Sequence, residues 1–267
     1  MRALRLLLAS SLIALSLIAS PASATSYSTD QSDLWYIPAE SGWGIQLVQR
    51  GNIIFFTMFV YDAAHNPVWY VGTLNHQGSG YVWTGDMYLT TGPWFGATFN
   101  PALFGGRIVG SMTWNGITVT TGTLNYSVDG VAVVKNVVRQ TLVNEDYSGR
   151  YGGGLHEDRS GCFSSIFNGT YEDAAILVVS QTGTAVTMST QTLTGGVCSY
   201  SGTLTQDGQM GTIAGAYSCS SDGDHGNFTL FEVQITRWAI SGRLDAASVP
   251  TGCHGTGWFG GARTTTF

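Results

Sequence analysis

The chain has 267 residues, 17 of them acidic and 11 basic, for a formal charge of −6, and only 10% of it is charged. Its 36 glycines and sparse charge disfavour coiled coils, helical bundles and acidic disordered tails, since an interior glycine costs a helix about 1 kcal/mol and soluble chains carry roughly a quarter charged residues. An all-β chain rich in turns remains, and its acidity offers nothing electrostatic to nucleic acid or anionic lipid.

Arg2 and Arg5, an apolar run from Leu6 to Ile18 and the small-residue site Ala22-Ser23-Ala24 predict a secretory signal peptide over residues 1–24. The run is shorter than the ~20 residues that span a bilayer, so cleavage before Thr25 is expected rather than anchoring. Residues 25–33 read as a polar leader without periodicity. The address that follows is export, to the periplasm or the medium.

From Trp35 onward, strands and turns alternate quickly. Residues 44–50 end at a Gly51-Asn52 turn, and residues 53–61 form a long strand. A loop over residues 63–67 follows, because His65-Asn66-Pro67 cannot continue a central strand. Strands are predicted at residues 68–75, 81–90, 107–114 and 117–128, with Asn115-Gly116 and Asp129-Gly130 as hairpin signals. Residues 131–142 close a first module, expected over residues 34–143. Residues 93–104 leave room for one turn of helix. A second module, over residues 144–267, offers short strands near residues 176–180, 185–190, 197–204, 213–219, 228–237, 240–244 and 255–259. Strands this short and this evenly spaced predict two antiparallel meander domains in tandem, each barrel-like or a sandwich.

The strand over residues 53–61 is largely apolar on both faces: Ile53, Phe55, Thr57, Phe59 and Tyr61 on one, Ile54, Phe56, Met58 and Val60 on the other. Such a strand is expected to be covered on both sides, by the second module outside or by a greasy cavity inside.

Four cysteines, Cys162, Cys198, Cys219 and Cys253, all fall in the second module. An even count in an exported chain reads as two disulfides, and no metal-binding or redox spacing is present. The segment from Cys198 folds back about Asp207-Gly208 to Cys219, which pairs those two and leaves Cys162 for Cys253.

The stretch Trp35-Tyr36-Ile37-Pro38-Ala39-Glu40-Ser41-Gly42-Trp43-Gly44, then Phe59-Val60-Tyr61-Asp62 and Pro67-Val68-Trp69, carries a pattern W-[WY]-x-P-x-E-S-G-W-G, Y-D, P-x-W. It resembles a module of exported bacterial β-proteins over roughly residues 33–142. The second half resembles, more weakly, small disulfide-tied barrels of the same proteins. At fold level both halves are similar to avidin-like or lipocalin-like meander barrels. The resemblance implies an architecture and an address, and no catalytic residue.

No nucleophile elbow, zinc-binding helix, phosphate loop or dinucleotide turn is present in the sequence. Glu40, set among aromatics, is either a buried carboxylate of raised pKa or the acceptor for the Ser41-Gly42 turn. Asp62 and His65 flank a turn and read as turn chemistry. The oxygen-rich stretches His156-Glu157-Asp158 and Asp222-Gly223-Asp224-His225 lack the spacing of a calcium loop. No metal or cofactor is expected.

These readings point to an exported, non-enzymatic binding or cell-surface protein. Trp35, Trp43, Trp69, Tyr70 and Trp83 are the aromatics expected to line its ligand site. The partner is a small apolar molecule, a glycan or a cell-surface component, with membrane association not favoured. The alternatives are an exported hydrolase built on Glu40, Asp62 and His65, and an outer-membrane or structural surface protein.

Overall fold

A computed structural model describes residues 29–78 and 80–264; the signal peptide expected over residues 1–24 and the terminal Phe267 lie outside them. The chain closes two eight-stranded barrels, and within each barrel every strand pairs antiparallel with the next in sequence and the first with the last. The first contains β1 (Asp33–Tyr36), β2 (Gly44–Arg50), β3 (Ile53–Tyr61), β4 (Pro67–His76), β5 (Val82–Thr91), β6 (Gly105–Asn115), β7 (Thr121–Val128) and β8 (Val131–Arg139). The second contains β9 (Gly149–Ser160), β10 (Gly169–Thr182), β11 (Ala185–Thr192), β12 (Val197–Asp207), β13 (Met210–Cys219), β14 (His225–Ile235), β15 (Ala239–Ser248) and β16 (His254–Arg263). Closure leaves no sheet edge to aggregate.

Asp129-Gly130 makes the predicted two-residue hairpin between β7 and β8, with both residues at positive φ. Asn115-Gly116 does not: the strand expected from residue 117 begins only at Thr121. Residues 118–121 instead form a threonine turn in which the Thr118 hydroxyl accepts from the amides of Thr120 and Thr121. The room for helix in residues 93–104 holds a single 3-10 turn, Pro101–Leu103, capped by the Asn100 side chain.

The axis of the N-terminal barrel is filled. Trp35, Trp83 and Trp114 are fully buried together with Phe56, Met58 and Met87, an apolar interior where a lipid-facing barrel with a wet bore has a polar one. Its floor is polar but fully engaged. Arg139, at the end of β8, lies 4.6 Å from the Trp35 ring and donates to the carbonyls of Asp30, Ser32 and Val119. Gln31 is buried beneath: its carbonyl accepts from Trp35 Nε1 at 2.9 Å and its side chain from Trp114 Nε1 at 3.2 Å. Thus the part of the expected polar leader that is described, residues 29–33, plugs the barrel instead of trailing from it.

β3 departs from expectation in the same module. Its inward face, Ile54, Phe56 and Met58, belongs to the filled core, so no greasy cavity lies there. Its outward Ile53, Phe55 and Tyr61 are about half exposed, so the second barrel does not cover them.

The C-terminal barrel repeats the floor with other residues. Arg263, at the end of β16, sits 5.0 Å from the ring of Tyr151 on β9 and donates to its hydroxyl at 2.8 Å. Tyr147 closes the space below and is fully buried, which pushes its phenol up to about 12. The two floors meet: Gln209 in the β12–β13 turn donates from its backbone to Asp33 Oδ2 at 3.1 Å, and Arg139 donates to the same oxygen at 3.1 Å. Gly208, at φ 61°, lets that turn approach, since a Cβ there would stand 2.1 Å from the Asp33 carboxylate. Each mouth lies at the end of its barrel away from this junction.

Both disulfides pair as the sequence suggests, Cys198 with Cys219 and Cys162 with Cys253. Cys198 and Cys219 face each other across β12 and β13, and the second bridge ties the β9–β10 loop to the β15–β16 loop. They clamp the mouth of the C-terminal barrel and point to a non-reducing environment.

Candidate functional site

The interior of the C-terminal barrel is hollow. Inward positions alternate along β9 as Tyr151, Gly153, Leu155, Glu157 and Arg159, and along β10 as Tyr171, Asp173, Ala175 and Leu177. With their counterparts on the other strands they enclose about 620 Å³, within the usual range for a small-molecule site. Small residues make the room. A Cβ on Gly153 would stand 1.8 Å from the Gly260 carbonyl, and one on Gly255 would stand 1.9 Å from Glu157 Oε1. Only glycine fits where the closing strands approach, and at position 255 a side chain would have to push the Glu157 carboxylate aside.

The cavity is graded from floor to mouth. Near the floor its walls are Tyr151, Leu177, Met188, Leu230, Leu244 and Phe259. Toward the mouth they turn polar. Glu157 is buried and accepts from Arg159 Nη2 at 2.9 Å, and the Arg159 guanidinium lies 4.2 Å from the Tyr171 ring. Asp224 accepts from the Tyr217 hydroxyl at 3.0 Å and from Ser248 Oγ at 2.5 Å, while Thr251 donates to Ser248 at 2.6 Å. Burial raises the Tyr200 phenol, and burial followed by the Asp224 charge raises that of Tyr217. Both stay neutral, and Tyr217 stays a donor. The rim is apolar, with Phe163, Ile166 and Leu193 exposed around it.

The aromatics expected to line a ligand site are in the other barrel. Trp35 belongs to its floor and Trp83 to its core; the Trp83 indole N–H is buried without a partner among the described residues. Tyr70 is partly buried against the same core, and Trp69 is exposed on the outer face, 6.0 Å from Phe59. Trp43 stands at the mouth of the N-terminal barrel, donating to Glu40 Oε2 at 2.9 Å with Lys135 Nζ 5.5 Å from its ring. None of the five lines the cavity.

Glu40 is neither the raised carboxylate nor the turn acceptor that its neighbours suggest. Lys135 donates to it at 2.7 Å, and this bond, followed by that from Trp43, holds its carboxyl below the ordinary value. The cation comes from β8, far along the chain, so no local pattern announces it. Asp62 is spent on its own turn, accepting from the amides of Ala64 and Asn66 at 2.9 and 2.8 Å, with His65 in that turn at φ 65°.

His156-Glu157-Asp158 is split by strand alternation. Glu157 faces the cavity, whereas His156 lies outside between Glu172 at 2.8 Å and Asp158 at 3.4 Å, edge-on to Trp258. Among the described residues no three His, Cys, Asp or Glu side chains are grouped to hold a metal ion. No protein-family model and no curated protein matches this sequence. What the arrangement can do chemically is therefore read from the cavity: it offers apolar walls and fixed acceptors. Its carboxylates are engaged within the protein, Glu157 with Arg159 and Asp224 with Tyr217 and Ser248.

Proposed function

We propose that the protein is an exported, non-enzymatic binding protein whose C-terminal barrel holds a small, largely apolar molecule, with the N-terminal barrel as its solid support. The cavity of about 620 Å³ carries this reading; hydrophobic walls with a few placed polar groups are the usual make-up of a ligand site. Export is supported by the amino-terminal pattern and by the two disulfides at the mouth.

The test is titration with N-phenylnaphthylamine, a neutral dye that brightens in apolar surroundings. Saturable binding is expected to the wild-type protein. Ala175→Trp, which places an indole at an inward position of β10, should abolish it while the melting temperature is kept. Equal brightening by both proteins would show that the dye sits elsewhere and would remove the cavity as the site.

A further inference from the structure

The polar end of the cavity has a surplus of acceptors, and its cation and several of its hydroxyls are committed to them. Four carboxylates line it, Glu157, Asp173, Asp222 and Asp224, against the single guanidinium of Arg159. That guanidinium is held by Glu157 and covered by Tyr171. The hydroxyls of Tyr217 and Ser248 are turned onto Asp224, and the Thr194 hydroxyl onto Asp173. A carboxylate offers about four lone-pair sites, so Asp224, accepting two protein bonds, retains sites for a ligand that donates. A ligand headed by a carboxylate or phosphate would meet net negative charge with no uncommitted cation to receive it. The Tyr200 and Tyr217 rings stack 5.9 Å apart beside these acceptors, and tyrosine faces also favour a cation.

We infer that the ligand is an amphiphilic amine, its apolar body lying toward Leu177, Leu230 and Leu244 and its protonated amino group toward Asp224 and Asp173 at the mouth. The inference rests on the cavity being the binding site and adds the chemistry of the head group.

The experiment displaces bound N-phenylnaphthylamine with dodecylamine, dodecanol and dodecanoate, which share one tail. Dodecylamine should displace at a concentration roughly tenfold below that of dodecanoate, with the gap narrowing as salt screens the charges. Asp224→Asn and Asp173→Asn should each shrink the gap and leave dodecanol unchanged. Two variants are used because Asp224 also braces Tyr217 and Ser248; a variant counts when its melting temperature matches the wild type. Dodecanoate displacing as readily as dodecylamine would overturn the head-group inference and leave the binding site standing. Failure of the dye to bind wild-type protein at all would overturn both.

Discussion

The two barrels share strand number, strand order and a floor in which an arginine from the last strand covers an aromatic ring of the first. They differ in what points inward. The N-terminal barrel places Trp35, Trp83, Trp114, Phe56 and three methionines, Met58, Met87 and Met112, along its axis. The C-terminal barrel places Gly153, Ala175, Thr190 and Gly255 at inward positions, together with charged groups near its mouth. Eight strands enclose a space that side chains can just fill or that can hold one small ligand. Topology therefore leaves the choice open, and side-chain volume makes it.

The comparison can be broken most forcefully by reduction. The loops closed by the bridges span 91 and 21 residues, and both lie in the C-terminal barrel. The chain-entropy relation assigns them about 4–5 and about 3 kcal/mol. A reductant should therefore lower the C-terminal calorimetric transition strongly and leave the N-terminal one in place. A common shift of both transitions would mean that the barrels unfold as one unit.

Truncation in the two interiors sharpens the contrast. Trp35→Ala should cost ~3–5 kcal/mol in denaturant unfolding of the N-terminal barrel, since it opens a void in a filled core and strips Arg139 of its cover. Leu230→Ala should cost less than half as much, because the side chain already borders open space. Equal losses would say that the second interior is packed as tightly as the first.

The smallest effect concerns acid. Glu40 titrates below its ordinary 4.5 in the folded state, chiefly through its bond to Lys135. Its contribution is complete above the unfolded value and is lost as pH falls through the lowered one. Lys135→Met should make the N-terminal transition less sensitive between neutral pH and about pH 3. The C-terminal transition should titrate alike in both proteins.

Much of the architecture is legible in the sequence because it is local. Strand alternation and turn residues such as Asp129-Gly130 act over a few positions, and the Cys198–Cys219 pairing follows from one fold-back. The first strands of the second barrel are harder to read. β9 alternates Tyr151, Gly153, Leu155, Glu157 and Arg159 inward, and its glycines and charges hide a strand whose inner face lines a cavity rather than a core. The aromatics singled out from the sequence do not line the cavity, because tryptophan marks where apolar area is largest, and in the N-terminal barrel that area fills the axis.

From the chain alone come the fold class, the tandem arrangement, both disulfide pairings and a composition suited to strands, since each depends on neighbouring residues or on counts. Which barrel is hollow, that Lys135 reaches Glu40 and that residues 29–33 seal a floor are decided only when sixteen strands close. Closure brings residues distant in sequence to one level of a barrel, and the free space there is what their summed volumes leave over, a quantity that no single segment contains.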